Sequence, residues 1–151
     1  MDLELRQFTT QHFVEYASWF ADPILNRQLG PMDDAWFELV MRGGEVPGDE
    51  TWAVLRDGKL VAVVEALVAA ENPASYTIGA VATKPELRQQ GIGASSLQHV
   101  LDLHKSRGIV EHNARVRVDN TAGQRCAAKA GFVPVSSVPD QHGYIELRRR
   151  Y

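Results

Sequence analysis

The sequence predicts an α/β fold in which one mixed, mostly antiparallel sheet carries helices on its faces. Three observations support this. Asp57-Gly58 stands between two strand-like apolar runs, the signature of a tight hairpin. A strand-like run over residues 76–83 is followed by Pro85, a turn bearing Gly91 and Gly93, and a helix-like stripe. A further strand-like segment over residues 109–118 follows that helix, so the two strands flank a right-handed crossover and run parallel.

Taken in order, residues 3–8 alternate and form a first strand. Thr9 or Thr10 caps a helix carrying Phe13, Tyr16, Ala17 and Phe20, which ends before Pro23. Leu29-Gly30-Pro31 is a turn, and Asp33 or Asp34 caps a second helix with Trp36, Phe37, Leu39, Val40 and Met41. Gly43-Gly44 closes that helix. Residues 51–55 and 60–69 are the arms of the Asp57-Gly58 hairpin, and residues 71–75 turn the chain into the third strand of an antiparallel meander. In that strand Tyr76, Ile78, Ala80 and Ala82 share one face.

The helix over residues 94–105 aligns Leu97, Val100, Leu101 and His104, and ends at cations and Gly108. After the strand over 109–118, Asn120 and Thr121 cap a short helix that runs through Lys129 and stops at Gly131. Residues 132–136 and 144–147 make a C-terminal hairpin across the turn at 139–143. No repeat, low-complexity tract or linker divides the chain, so residues 1–151 are read as one domain.

Composition narrows the function classes. A chain of 151 residues with 44% hydrophobic and 23% charged residues is ordinary for a water-soluble domain with one sizeable core. A net charge of −3 supplies no basic field, which argues against nucleic acid as a main partner. The single cysteine, Cys126, cannot form an internal disulfide, and the first residues lack a cationic, apolar leader. The apolar run over 60–70 is broken by Glu65 and too short to span a bilayer. The expectation is a cytoplasmic protein with no membrane partner. An edge strand near the C-terminus leaves a homodimer open.

The glycine turn carries the chemistry. The first N–H groups of a helix lack intrahelical carbonyl partners, and aligned peptide dipoles add positive charge there. Gly91 and Gly93 would let a pyrophosphate approach the amides of Gln90, Gly91, Ile92, Gly93 and Ala94, with charge added by Arg88 and Lys84. Taken alone, a glycine turn that opens a helix is more often a plain turn than an anion site. It is not a P-loop, because Gly91 is followed by Ile92-Gly93-Ala94-Ser95 without the lysine and Ser/Thr pair. It is not a dinucleotide fingerprint either, since the third glycine position is Ser96.

Thr83-Lys84-Pro85-Glu86-Leu87-Arg88-Gln89-Gln90-Gly91-Ile92-Gly93 resembles the acyl-coenzyme A signature of the GCN5-related N-acetyltransferases (GNAT). A second block, residues 116–122 followed by Lys129-Ala130-Gly131-Phe132, is similar to that family's asparagine-to-Gly-Phe block. The resemblance covers residues 51–135 well and implies a GNAT-like mixed sheet whose two parallel central strands splay apart. It implies that pantetheine enters between them, meeting backbone groups of Val81, Ala82 and Thr83. Arg88, Gln89, Gln90, Gly91, Ile92, Gly93 and Ala94 would bind the pyrophosphate, with Asn120 near the pantetheine arm. Asn120 also reads as a plain helix cap. The co-substrate implied is acetyl-CoA or another acyl-CoA, with no metal, and the acceptor is an amine of a small molecule or protein.

No catalytic residue is assigned. The tyrosine that the family often places seven residues after this asparagine, as acid toward the leaving thiolate, is Ala127 here. Its neighbour Cys126 reads as a small buried hydrophobe. The family's frequent carboxylate on the strand before the signature is also missing, and Ser75 and Thr77 are the nearest polar groups. Glu65 is the best substitute base, read alternatively as an outward residue on a half-exposed strand. His112, Tyr144 and Glu146 are weaker candidates, read as surface or strand-edge residues. Two functional readings stand at this point: a direct acyl-CoA-dependent N-acyltransferase, and a catalytically impaired acyl-CoA-binding module. An unrelated α/β domain with a chance glycine turn predicts no CoA binding.

Overall fold

A computed structural model describes residues 1–41 and 47–151. Seven strands form one sheet in the order β1-β2-β3-β4-β5-β7-β6. They are β1 (Glu4–Gln7), β2 (Glu50–Arg56), β3 (Lys59–Val68), β4 (Ser75–Thr83), β5 (Glu111–Arg117), β6 (Val133–Pro134) and β7 (Tyr144–Arg150). Among the described residues, only the β4–β5 pair is parallel. The helices are α1 (Thr10–Ser18), α2 (Pro23–Leu29), α3 (Asp34–Met41), α4 (Ile92–Ser106) and α5 (Thr121–Lys129).

The β2–β3 hairpin turns at Asp57 and Gly58, both with positive φ, as a two-residue turn matched to strand twist requires. β3 is an interior strand, between β2 and β4, and is buried over most of its length. Ala62, Val64 and Ala66 enter the core under α4 and α5, whereas Leu60 and Val63 enter a second core with Tyr16, Trp19, Phe20 and Trp36. The apolar run that the sequence shows over this strand is therefore a strand covered on both faces.

Two readings need amendment. The first helix ends before Pro23 as expected. The stretch between it and Leu29-Gly30-Pro31, where the sequence predicts no element, holds a 3-10 turn, Trp19–Ala21, and a separate helix, α2, started by Asp22 as N-cap and Pro23 in the first turn. The C-terminal hairpin is uneven: β6 pairs only Val133 and Pro134 with β7, while β7 runs on to Arg150 and pairs with all of β5. The expected closure of α3 by Gly43-Gly44 lies outside the described residues.

The parallel pairing of β4 with β5 covers only Ser75–Ile78 and Glu111–Ala114. Beyond it, β4 continues to Thr83 and β5 to Arg117 without pairing to each other. The cause is local. Glu65 pairs with Ala80 and Ala66 with Ile78, so Gly79 is an extra residue on β4. Such a bulge bends its strand and sharpens the twist, which turns β4 away from β5 and opens the sheet at the C-terminal ends of both strands.

Candidate active site

The opening exposes backbone on one rim. Lys84 N–H donates to Val61 O across the β3–β4 ladder. Backbone groups alternate between strand edges, so Ala82 also faces β3, and Val81 and Thr83 turn theirs toward the gap. Of the three residues expected to offer backbone there, Ala82 thus spends its own on Val63.

The glycine loop follows directly. Gln89 and Gly91 both have positive φ (63° and 79°), which curls the chain back before α4. Gly91 is the N-cap of α4, and no side chain caps the helix. The amides of Ile92, Gly93 and Ala94 therefore lack helical acceptors and sit at the positive end of a 15-residue helix. A Cβ at Gly91 would meet nothing within 4 Å. Gly93 differs: its Cβ would lie 3.1 Å from Thr83 Oγ1 and 3.6 Å from Cys126 Sγ, so this glycine lets α4 pack against β4 and α5. The two glycines expected to clear one ligand path divide the labour, one for the open loop and one for packing.

The cations of this loop are already paired. Arg88 Nη2 donates to Asp22 Oδ2 at 2.5 Å, and Lys84 Nζ lies 3.3 Å from Glu15 Oε1. Across the gap Asn120 caps α5, its Oδ1 accepting from Gly123 N–H at 2.9 Å and from Gln28 Nε2 at 3.1 Å. Asp22, Gln28 and Glu15 were not singled out in the sequence. The Asp-Pro start of α2 is a visible helix signal, but their partners are far away in the chain.

Glu65 is the largest change from the sequence expectation. It is only 4% exposed rather than outward-facing. Burial pushes its carboxyl up to about 7. Its Oε2 lies 3.7 Å from the position of a Cβ on Gly79, at the bulge where β4 leaves β5. Tyr16, buried beside it, is raised well above its ordinary value by burial and by the Glu65 charge.

The other candidates lie elsewhere or do other things. Ser75 donates to Glu111 in the closed part of the β4–β5 pair, where Thr77 also sits. His112 is fully buried rather than on the surface: its Nε2 lies 2.8 Å from His104 Nδ1, and His104 Nε2 lies 2.6 Å from Glu50 Oε1. Tyr144 pairs in register with Arg117 at the far rim, and Glu146 is exposed beside Arg148. Ala127 is in the core under α4. Burial raises the Cys126 thiol to about 11, leaving it about 10⁻⁴ ionised at neutral pH and unsuited to nucleophilic attack.

A family model described as the acetyltransferase (GNAT) family matches residues 11–132. The chain belongs to the GNAT acetyltransferase family. Solved structures agree on the fold of this acetyltransferase. Aminoglycoside acetyltransferase AAC(6')-Ib in complex with coenzyme A superposes with a TM-score of 0.83 at 14% identity, covering 99% of this chain and 95% of the other. A PaiA N-acetyltransferase from Thermoplasma acidophilum, also with coenzyme A, gives 0.75 at 17% identity over 100% of both chains. The ribosomal-protein-S18-alanine N-acetyltransferase of Escherichia coli gives 0.73 at 18%, covering 99% and 94%. No curated protein matches the chain by sequence. Among the described residues, no group of three or more His, Cys, Asp or Glu is placed to hold a metal, and no helix is long and apolar enough to cross a membrane.

Proposed function

We propose that this GNAT protein transfers an acyl group, acetyl in the first instance, from acyl-CoA directly to a primary amine of a small molecule or protein. The observation that carries the reading is the junction of the sheet opening with an uncapped α4 N-terminus. A diphosphate fits there because Gly91 leaves open space before three amides without acceptors. An extended arm fits between β4 and β5 because Val81 and Thr83 present free strand-edge groups to it. The co-substrate supplies an activated thioester carbonyl. The chain positions that carbonyl and handles the amine's protons.

Glu65 is the residue we assign to the proton. A carboxyl with a pKa of about 7 is poised to take a proton from an alkylammonium group, directly or through one water. The N–C bond forms as the C–S bond breaks. One ammonium proton goes to Glu65 and the second ends on the departing thiol. A thiol with a pKa of about 8.5 is a good enough leaving group to depart without a dedicated acid, which accommodates alanine at 127. The protonated Cys126 thiol argues for direct transfer over an acyl-cysteine route.

Free-thiol release from acetyl-CoA in the presence of a panel of primary amines tests this reading. Amine-dependent release is expected. Saturable binding of acetyl-CoA with no release across the panel would point to the binding-module reading instead.

A further inference from the structure

Resting on the acyl-CoA reading above, we infer that α2 is a strap across the mouth of the sheet opening, fastened by the Arg88 that the co-substrate's diphosphate needs. The N-cap of α2, Asp22, holds Arg88 on the β4 side. Near its other end, Gln28 donates to Asn120 on the β5 side. The step from Asp22 to Gln28 rises about 9 Å along a helix. That is close to the roughly 10 Å left between two strands when the strand between them is missing. The helix is thus the right length to bridge the two rims, and each end is tied to the loop that follows one of the splayed strands.

The N-terminal tie is a competition between anions. One oxygen, Asp22 Oδ2, accepts from both Arg88 Nη2 and Leu25 N–H. Arg88 lies in the loop that leads into the uncapped α4. The second cation of this loop, Lys84, is held the same way by Glu15 on α1. The α1–α2 segment therefore places two carboxylates on the cations expected to meet the diphosphate. When a diphosphate takes Arg88, Asp22 loses its partner and the N-terminal end of the strap is freed. Leu25 of α2 belongs to the core of Trp36, Phe20, Ala82 and Val63, and strand alternation puts Glu65, two residues after Val63 on β3, on that same face. Release of α2 consequently loosens the wall where the amine would enter, and the two substrates become thermodynamically coupled through one ion pair.

Asp22→Asn separates the charge from the cap, because asparagine still offers an oxygen to Leu25 N–H. Two measurements are made on the full chain: calorimetric titration with acetyl-CoA, and amide hydrogen exchange without ligand. The variant is expected to bind acetyl-CoA about two- to fivefold tighter than wild type, the change an ion pair of this exposure carries. Exchange across residues 25–30 is expected to speed up in the unliganded variant. In an Arg88→Gln background the gain in affinity from Asp22→Asn should vanish, since the competitor then has nothing to hold. Unchanged or weaker binding by Asp22→Asn would mean that Asp22 positions Arg88 for the diphosphate, and overturns the strap. Unchanged exchange in the unliganded variant overturns it independently of any ligand. Failure of wild type to bind acetyl-CoA overturns the acyl-CoA reading, and the release mechanism with it.

Discussion

Glu65 shows how one residue can be half legible in a sequence. Its position within an apolar run is visible. The run itself, lacking polar alternation, signals a strand with no exposed face, so an outward glutamate was the less consistent reading. Its proximity to the bulge at Gly79 was not visible, because register depends on pairing between strands. If Glu65 takes the proton, Glu65→Gln should lower kcat/KM by about 10²-fold or more and remove the limb of the pH profile near 7. A profile retaining that limb in the variant would assign the proton to another group. Cys126→Ala should keep near wild-type turnover, since the thiol is un-ionised; loss of turnover with the fold intact would reopen an acyl-cysteine route. Gly91→Glu places a carboxylate in open space before the α4 amides, at a left-handed φ that strains any side chain. It should weaken acetyl-CoA binding at least tenfold relative to Gly91→Ala, which carries the same strain without the charge. Gly93→Glu is a poor counterpart, because its Cβ points at Thr83 and Cys126 and would disturb packing as well.

At the scale of elements, most strands and the long helix follow from local pattern. The β2–β3 hairpin needs only Asp57-Gly58 between apolar arms, and α4 needs its stripe of Leu97, Val100 and Leu101. What local pattern does not show is which elements become neighbours at the mouth of the opening. α2 is short, and beyond the local cap that Asp22 makes, its polar ends acquire a role because Arg88 and Asn120 come to meet them from distant parts of the chain. Asn120 illustrates the overlap of roles. Its Oδ1 caps α5, so Asn120→Ala should cost about 1 kcal/mol of stability from the lost cap. Thermal unfolding measures that term separately from co-substrate affinity. Asn120→Asp restores the cap oxygen, so a stability loss that persists in this variant would contradict the capping assignment.

For the whole molecule, two buried groups pull the pH dependence of stability in opposite directions. Glu65 has its folded pKa raised from 4.5 to about 7, so the native state holds a proton that the unfolded chain has lost. Its contribution is full below 4.5 and falls as pH rises through 7. His112 has its folded pKa lowered from 6.5 to about 4, first by burial and then by His104. Its contribution is full above 6.5 and falls as pH drops through 4. Between about 4.5 and 6.5 the two slopes, each about 1.4 kcal/mol per pH unit, cancel. Wild-type stability should therefore be nearly flat across that window. Below it stability should fall, with Glu50 adding to the loss: burial raises its carboxyl, but hydrogen bonds from His104 and Arg107 outweigh this and hold it at about 2. Glu65→Gln should unmask the His112 slope, making stability rise with pH from 4.5 to 6.5, and leave the variant on the order of 3 kcal/mol more stable at pH 8. Denaturant melts of both proteins across pH 4–8 check this; parallel curves would show that Glu65 ionises normally and cannot serve as the base near neutrality.

The central claim is that the sheet opening and the α4 N-terminus together form an acyl-CoA site. Its most direct test is calorimetric titration of acetyl-CoA into wild type and Gly91→Glu, with free CoA as a comparison ligand. Saturable one-site binding to wild type, weakened at least tenfold in the variant while the variant still unfolds cooperatively, is the expected result. Absence of binding to wild type at millimolar acetyl-CoA, or equal affinity in the two proteins, would contradict the site.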